Sequence, residues 1–142
     1  MWRILDASVL VRFWNKHCQP LLQSKTISIG GAPLRSTVVD KAKQLIQEYS
    51  PEGRTAVIVT PVAVEFLAGF SRKEDVELGE LFLSHLLCID QRQITATDWQ
   101  ETLRLAKRVP RDGRRRQLGD CLIRALANRL GAEVFSLDRF FP

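Results

Sequence analysis

Three observations predict an α/β fold with a mostly parallel central sheet flanked by helices. Short apolar runs recur at Trp2–Leu5, Ala56–Val59 and Glu133–Leu137. Between them lie longer segments whose apolar residues repeat at helical spacing. Acids directly follow the first and last of these runs, at Asp6 and Asp138. Apolar strands alternating with amphipathic helices are the pattern of a parallel sheet covered on its faces.

The elements follow in order. Trp2–Leu5 reads as a buried strand, and Val9, Leu10, Phe13 and Trp14 as the inward face of a helix that starts at once. Residues 19–37 are the least regular stretch, with turn signals at Pro20, Gly30, Gly31 and Pro33, and Thr26–Ile29 alternates as a short strand would. Val38, Ala42, Leu45 and Tyr49 form one helical face. Ser50-Pro51-Glu52-Gly53 ends that helix, and the β-branched run Ala56–Val59 is a second strand. Thr60 then reads as an N-cap with Pro61 at the first helical position. Val62, Ala63, Phe66, Leu67 and Phe70 are the buried stripe of this helix, and another helix spans about Glu74 to Leu86. A third strand falls between Leu87 and Thr95, with limits the pattern does not set. Thr97 or Asp98 caps a helix that turns Trp99, Leu103 and Ala106 inward. Gly119-Asp120 opens the last helix, Gly131 closes it, and Glu133–Leu137 is the final strand. The three tryptophans, Trp2, Trp14 and Trp99, fall at positions expected in the core rather than as stacking platforms.

The 142 residues fit one domain over 1–142, without internal repeat or linker. The apolar fraction of 45% suits a folded domain, and no apolar run reaches the roughly 18 residues of a membrane helix. An acid at position 6 leaves no room for a secretory leader, so a cytoplasmic protein is expected. Cys18, Cys88 and Cys121 are widely spaced, and His17 and His85 are the only histidines, which argues against a disulfide framework or a zinc site. A net charge of +5 favours a polyanionic partner. Part of that charge is concentrated in Arg111, Arg114, Arg115 and Arg116, just ahead of Asp120.

Four acids stand out by position. Asp6 and Asp138 end strands, Glu65 lies in the first turns of the helix after the second strand, and Asp120 opens the helix before the last strand. Carboxyl ends of strands and the helices that follow them share one edge of an open α/β sheet, where ligands bind. Converging carboxylates repel one another unless a divalent cation balances them. Oxygen ligands of this kind suit Mg²⁺ or Mn²⁺, whose chemistry fits phosphodiester hydrolysis. Each acid also has an ordinary structural use: strand-end turn, N-cap, an i,i+4 pair of Asp120 with Arg124, or a helix-dipole residue at Glu65. Spacing by itself does not separate these uses from a shared site.

Four segments in this order resemble the PIN-domain nucleases, and most closely the VapC-type toxins of toxin–antitoxin pairs. They are Ile4-Leu5-Asp6-Ala7-Ser8-Val9-Leu10, Thr60-Pro61-Val62-Ala63-Val64-Glu65-Phe66, Leu118-Gly119-Asp120-Cys121-Leu122-Ile123, and Val134-Phe135-Ser136-Leu137-Asp138 with Arg139, Phe140 and Phe141 after it. The resemblance implies a single PIN-like domain in which Asp6, Glu65, Asp120 and Asp138 are the catalytic, metal-binding acids, with Ser8 and Ser136 supporting them. It further implies a Mg²⁺- or Mn²⁺-dependent endoribonuclease, frequently a homodimer, neutralised by a cognate antitoxin protein. Three features depart from the family pattern: the long interval between Asp6 and Glu65, with an insertion at about 19–37; Phe140 where many relatives carry another acid; and an end four residues past Asp138. These departures keep open a catalytically weak PIN-like module that binds RNA or protein. A signalling domain phosphorylated on an aspartate shares the acid-rich edge but has no use for Asp120. The arginine run is expected to hold phosphates of an RNA substrate, to meet an acidic antitoxin segment, or to face solvent.

Overall fold

The computed structural model describes residues 1–23, 32–108 and 118–137. Among them the chain forms three strands, β1 (Trp2–Leu5), β2 (Thr55–Val57) and β3 (Glu133–Phe135). Seven helices accompany the strands: α1 (Ala7–His17), α2 (Gln19–Leu22), α3 (Ala32–Glu48), α4 (Thr60–Ala68), α5 (Lys73–Ser84), α6 (Ala96–Ala106) and α7 (Leu118–Leu130). The strands pair in the order β2-β1-β3, all parallel, with Arg3 opposite both Ala56 and Glu133. This is the α/β architecture expected. With β1 in the centre, its carboxyl end lies where the connections diverge to either side, the position at which such sheets open a crevice.

The core follows the apolar pattern. Ile4, Val9, Leu10, Val38, Leu45, Val59, Ile123 and Leu126 are buried. Trp14 sits among three phenylalanines, its ring 5.6 Å from Phe66, 5.3 Å from Phe70 and 5.4 Å from Phe82, each edge-on. Edge-to-face aromatic pairs of this kind add about 0.5–1.5 kcal/mol beyond area burial. The cluster locks α1 against α4 and α5, and so fixes where the residues that follow β1 stand relative to α4.

Several local expectations are corrected. The stretch 19–37 is not irregular throughout, since α2 and the start of α3 lie in it. Pro20 and Pro33 each occupy the second helical residue, where a missing N–H removes no helical hydrogen bond. Thr26–Ile29 lies outside the described residues. The strand expected between Leu87 and Thr95 shrinks to a single bridge between Ile58 and Cys88. Gln91 and Arg92, with φ of 53° and 60°, turn the chain away directly after it. Thr60 is the first residue of α4 rather than its cap, which is Val59. Its N–H and hydroxyl both donate to the carboxylate of Asp90, each at 2.9 Å, so a side chain thirty residues on satisfies the helix start.

The largest difference concerns α6. Its cap is Thr95, which accepts from the Asp98 N–H while the Asp98 carboxylate accepts from the Thr95 N–H, a reciprocal capping box. The buried face is Asp98, Thr102 and Leu105, whereas Trp99 and Leu103 are 47% and 58% exposed and Ala106 also faces out. The reason is polar. Arg129 of α7 donates to Asp98 at 2.7 Å and rotates that side of α6 inward. Trp2, at the sheet's outer end, is likewise 38% exposed, so only Trp14 is a core tryptophan.

α7 ends as expected. Gly131 takes φ of 66°, and the Ala132 N–H donates to the Ala127 carbonyl at 2.9 Å, closing the helix. β3 stops at Phe135, two residues early, because the Leu137 N–H turns to the Ser8 hydroxyl at 3.1 Å.

Candidate active site

Asp6 terminates β1. Its N–H donates to the Phe135 carbonyl at 2.9 Å, the last link between β1 and β3, and its side chain is almost fully buried. The Ser136 hydroxyl donates to Asp6 Oδ2 at 2.8 Å, and the Ser8 hydroxyl reaches the same oxygen at 3.2 Å. The two hydroxyls are 3.3 Å apart. Two serines, one from α1 and one just past β3, therefore hold the same oxygen of the carboxylate that ends β1.

Glu65 comes from the second turn of α4 and stands exposed at the same edge. Its carboxyl is pushed above the usual glutamate range, first by partial desolvation and then by the negative charges of Asp6 and Asp120. Asp120 is the third residue of α7, and Gly119 before it packs directly on the Glu65 carboxylate: a Cβ there would collide with Oε1. Three acids far apart in sequence are thus brought within electrostatic reach by β1, α4 and α7. Glu133 shows the contrasting case. Arg3 at 3.0 Å and Arg54 at 2.6 Å hold its carboxyl below the usual range, an ordinary structural ion pair.

The three acids are hard oxygen donors, and in kind they suit a divalent cation. As they stand, no three His, Cys, Asp or Glu side chains among the described residues are grouped closely enough to hold an ion. The interaction of Asp6 and Asp120 with Glu65 acts over a longer range than coordination does. Asp138, the fourth acid of the expected set, lies outside the described residues, as do Arg111, Arg114, Arg115 and Arg116. Burial pushes the thiol of Cys18 up to about 12 and raises that of Cys88 as well.

A family model for the PIN domain matches residues 34–142, more than half of the chain. The chain belongs to the PIN-domain family. PIN domains are generally nucleases and typically bind divalent metals. The matched range contains Glu65, Asp120 and Asp138 but not Asp6 or Ser8, whose place beside them rests on the hydrogen bonds at the end of β1. Among curated proteins no relative matches the chain. No helix among the described residues is long and apolar enough to cross a membrane.

Sequence reasoning passed over two cations of this PIN domain. Arg12 and Lys16 project from the exposed face of α1 and, with Ser8, Asn15 and Glu65, line a groove of about 780 Å³. The signal was present in the spacing. Positions 8, 12 and 16 are successive i,i+4 neighbours, so one face of α1 leads from the Asp6 site to two positive charges.

Proposed function

We propose that the protein is a Mg²⁺- or Mn²⁺-dependent endoribonuclease that serves as the toxin of a toxin–antitoxin pair. The observation that carries the reading is the packing of Gly119, next to Asp120, on the Glu65 carboxylate, which places Glu65 within electrostatic reach of both Asp120 and Asp6. Asp6, Glu65, Asp120 and Asp138 would hold the ion. Bound there, a divalent cation supplies a Lewis acid for the phosphate and makes a coordinated water more acidic. The chain's own residues do the positioning. Ser8 and Ser136 fix the orientation of the Asp6 carboxylate, and Gly119 allows Glu65 to approach α7. Arg12 and Lys16 supply positive charge beside the acids, and Arg111, Arg114, Arg115 and Arg116 are assigned to further phosphates of the strand.

A toxin of this kind acts in the cytoplasm, as a homodimer, and is silenced by a cognate antitoxin. The negative charges of Asp6 and Asp120 around Glu65 support the last point, since an Arg or Lys from such a partner would balance the same charges as the metal. One observation favours a second reading, a catalytically weak PIN-like module that binds RNA or protein: the described acids do not converge to coordination distance. Incubating the purified protein with mixed RNA in Mg²⁺, in Mn²⁺ and in excess chelator separates the two. The nuclease reading expects internal cuts only with metal. Intact RNA in every condition selects the binding module, and cutting undiminished by chelator removes the metal from the mechanism.

A further inference from the structure

Arg12 and Lys16 stand exposed on the outer face of α1, and that helix contains no acid to balance them. Neither takes part in a salt bridge among the described residues. Lys16 lies in the last turn, where a cation suits the helix C-terminus. Arg12 lies one turn earlier, beyond the reach of that effect. Ser8, Arg12 and Lys16 are four residues apart, so they form one row along the helix, with the two cations about 6 and 12 Å beyond Ser8. Long side chains on a helix lean towards its N-terminus, so both cations reach back towards Ser8 and Asp6. The groove that contains this row also contains Glu65. One continuous surface therefore joins the carboxylates, at one end, to two cations in line, at the other.

We infer that this row is a phosphate track: when the scissile phosphodiester of a single-stranded RNA lies at the acids, the next two phosphates on one side of the cut lie on Arg12 and Lys16. The inference rests on the nuclease reading for the identity of the polymer. Charge complementarity carries it. Cations one helical turn apart match the separation of neighbouring phosphates on an extended strand, and each can neutralise one of them. Asn15, exposed beside them in the same groove, adds an amide donor for a phosphate or sugar oxygen. An acidic protein segment also suits two cations, but continuing to Glu65 would bring it against the charges of Asp6 and Asp120. A polynucleotide does continue, since a divalent cation at the acids takes the phosphate at that end. The track sets a length requirement. A bond is cut only where at least two further phosphates follow it on the α1 side, and bonds nearer that terminus are spared.

The test pairs binding with cleavage. Binding of a labelled single-stranded RNA of mixed sequence is followed across a salt series, in Ca²⁺ to suppress cutting. The full chain is compared with Arg12→Ala, Lys16→Ala, the double variant, and Lys43→Ala, which removes an exposed cation from α3. Each phosphate contact on a single strand contributes about 0.7 to the slope of log K against log salt, so each single variant should lower it by about 0.7 and the double variant by about 1.4. Lys43→Ala should leave it unchanged, and Arg12→Lys, which keeps the charge, should retain it. In Mg²⁺ the double variant should show a raised KM with kcat retained. An RNA that the wild type cuts is then trimmed stepwise from each end. At one end the wild type should stop cutting once fewer than two phosphates remain beyond the site, while the double variant cuts full and trimmed RNA alike. Equal slopes in the wild type and the double variant, cutting indifferent to trimming at both ends, or no RNA binding overturns the inference and leaves the row to solvent or an acidic protein segment. A slope lowered as expected, with no cutting in Mg²⁺ or Mn²⁺, keeps the track and sinks the nuclease reading alone.

Discussion

The hydroxyl of Ser136, one residue past β3, donates to Asp6 Oδ2 at the end of β1 at 2.8 Å, across 130 residues of sequence. Ser8 shares the same oxygen, and the two hydroxyls touch. Hydrogen bonds to a charged group contribute about 1.5–3 kcal/mol, less where water competes. Ser136→Ala should cost roughly 1 kcal/mol of stability. Ser8→Ala should cost about as much, because it also releases the Leu137 N–H. The two losses should fall short of additivity in the double variant, since either single change already breaks the contact between the two hydroxyls. Chemical denaturation of the three variants measures this, and strict additivity would show that the serines act independently.

Gly119→Ala separates the site from the fold. Alanine is favoured over glycine by roughly 0.5–1 kcal/mol inside a helix, and by less at Gly119, the second residue of α7. The Cβ would collide with Glu65 Oε1, yet that atom ends a flexible, exposed side chain and can swing aside. The expected outcome is an unchanged or slightly raised melting temperature with at least about tenfold lower RNA cleavage, a barrier change near 1.4 kcal/mol. Full activity would mean that Glu65 is not needed where it stands.

Asp98 governs stability rather than activity. Burial raises its carboxyl, but the hydrogen bonds from Arg129 and Thr95 outweigh burial and hold it below the usual aspartate range. A carboxyl with a depressed folded value contributes stability above its unfolded value and loses it as pH falls through the folded one. Wild-type stability should therefore drop on acidification from about pH 4 downward, and Asp98→Asn should flatten that drop. Asp98→Ala removes a capping side chain and strands the Arg129 pair, a loss of about 3 kcal/mol. Melting curves across pH check both.

Much of the fold was legible because its signals are local. The apolar run Trp2–Leu5, the stripe at Val9, Leu10, Phe13 and Trp14, and Gly131 with its positive φ each mark their element without outside help. α6 was not legible, because Trp99, Leu103 and Ala106 make a better apolar stripe than the polar face Asp98, Thr102 and Leu105 that is buried, and the choice depends on Arg129, 31 residues away from Asp98. The start of α4 escaped for the same reason, since Asp90 satisfies Thr60 from a distant loop. At the site, strand ends pointed to Asp6, and helix starts to Glu65 and Asp120. Arg12 and Lys16 were overlooked because isolated surface cations on a helix look like any solvated face until a groove is seen beneath them.

The account turns on Asp6, the buried carboxylate on which β1, α1 and the end of β3 converge. The most direct test is cleavage of single-stranded RNA in Mg²⁺ by the wild type and by Asp6→Asn, with the fold of each followed by circular dichroism and melting. Asparagine keeps the shape and one acceptor oxygen for Ser8 and Ser136, but it removes the charge a cation needs. The predicted result is a folded variant, within about 1 kcal/mol of the wild type, whose cleavage falls at least about a hundredfold, some 2.7 kcal/mol of barrier. A folded Asp6→Asn protein that cuts RNA as fast as the wild type would contradict the account.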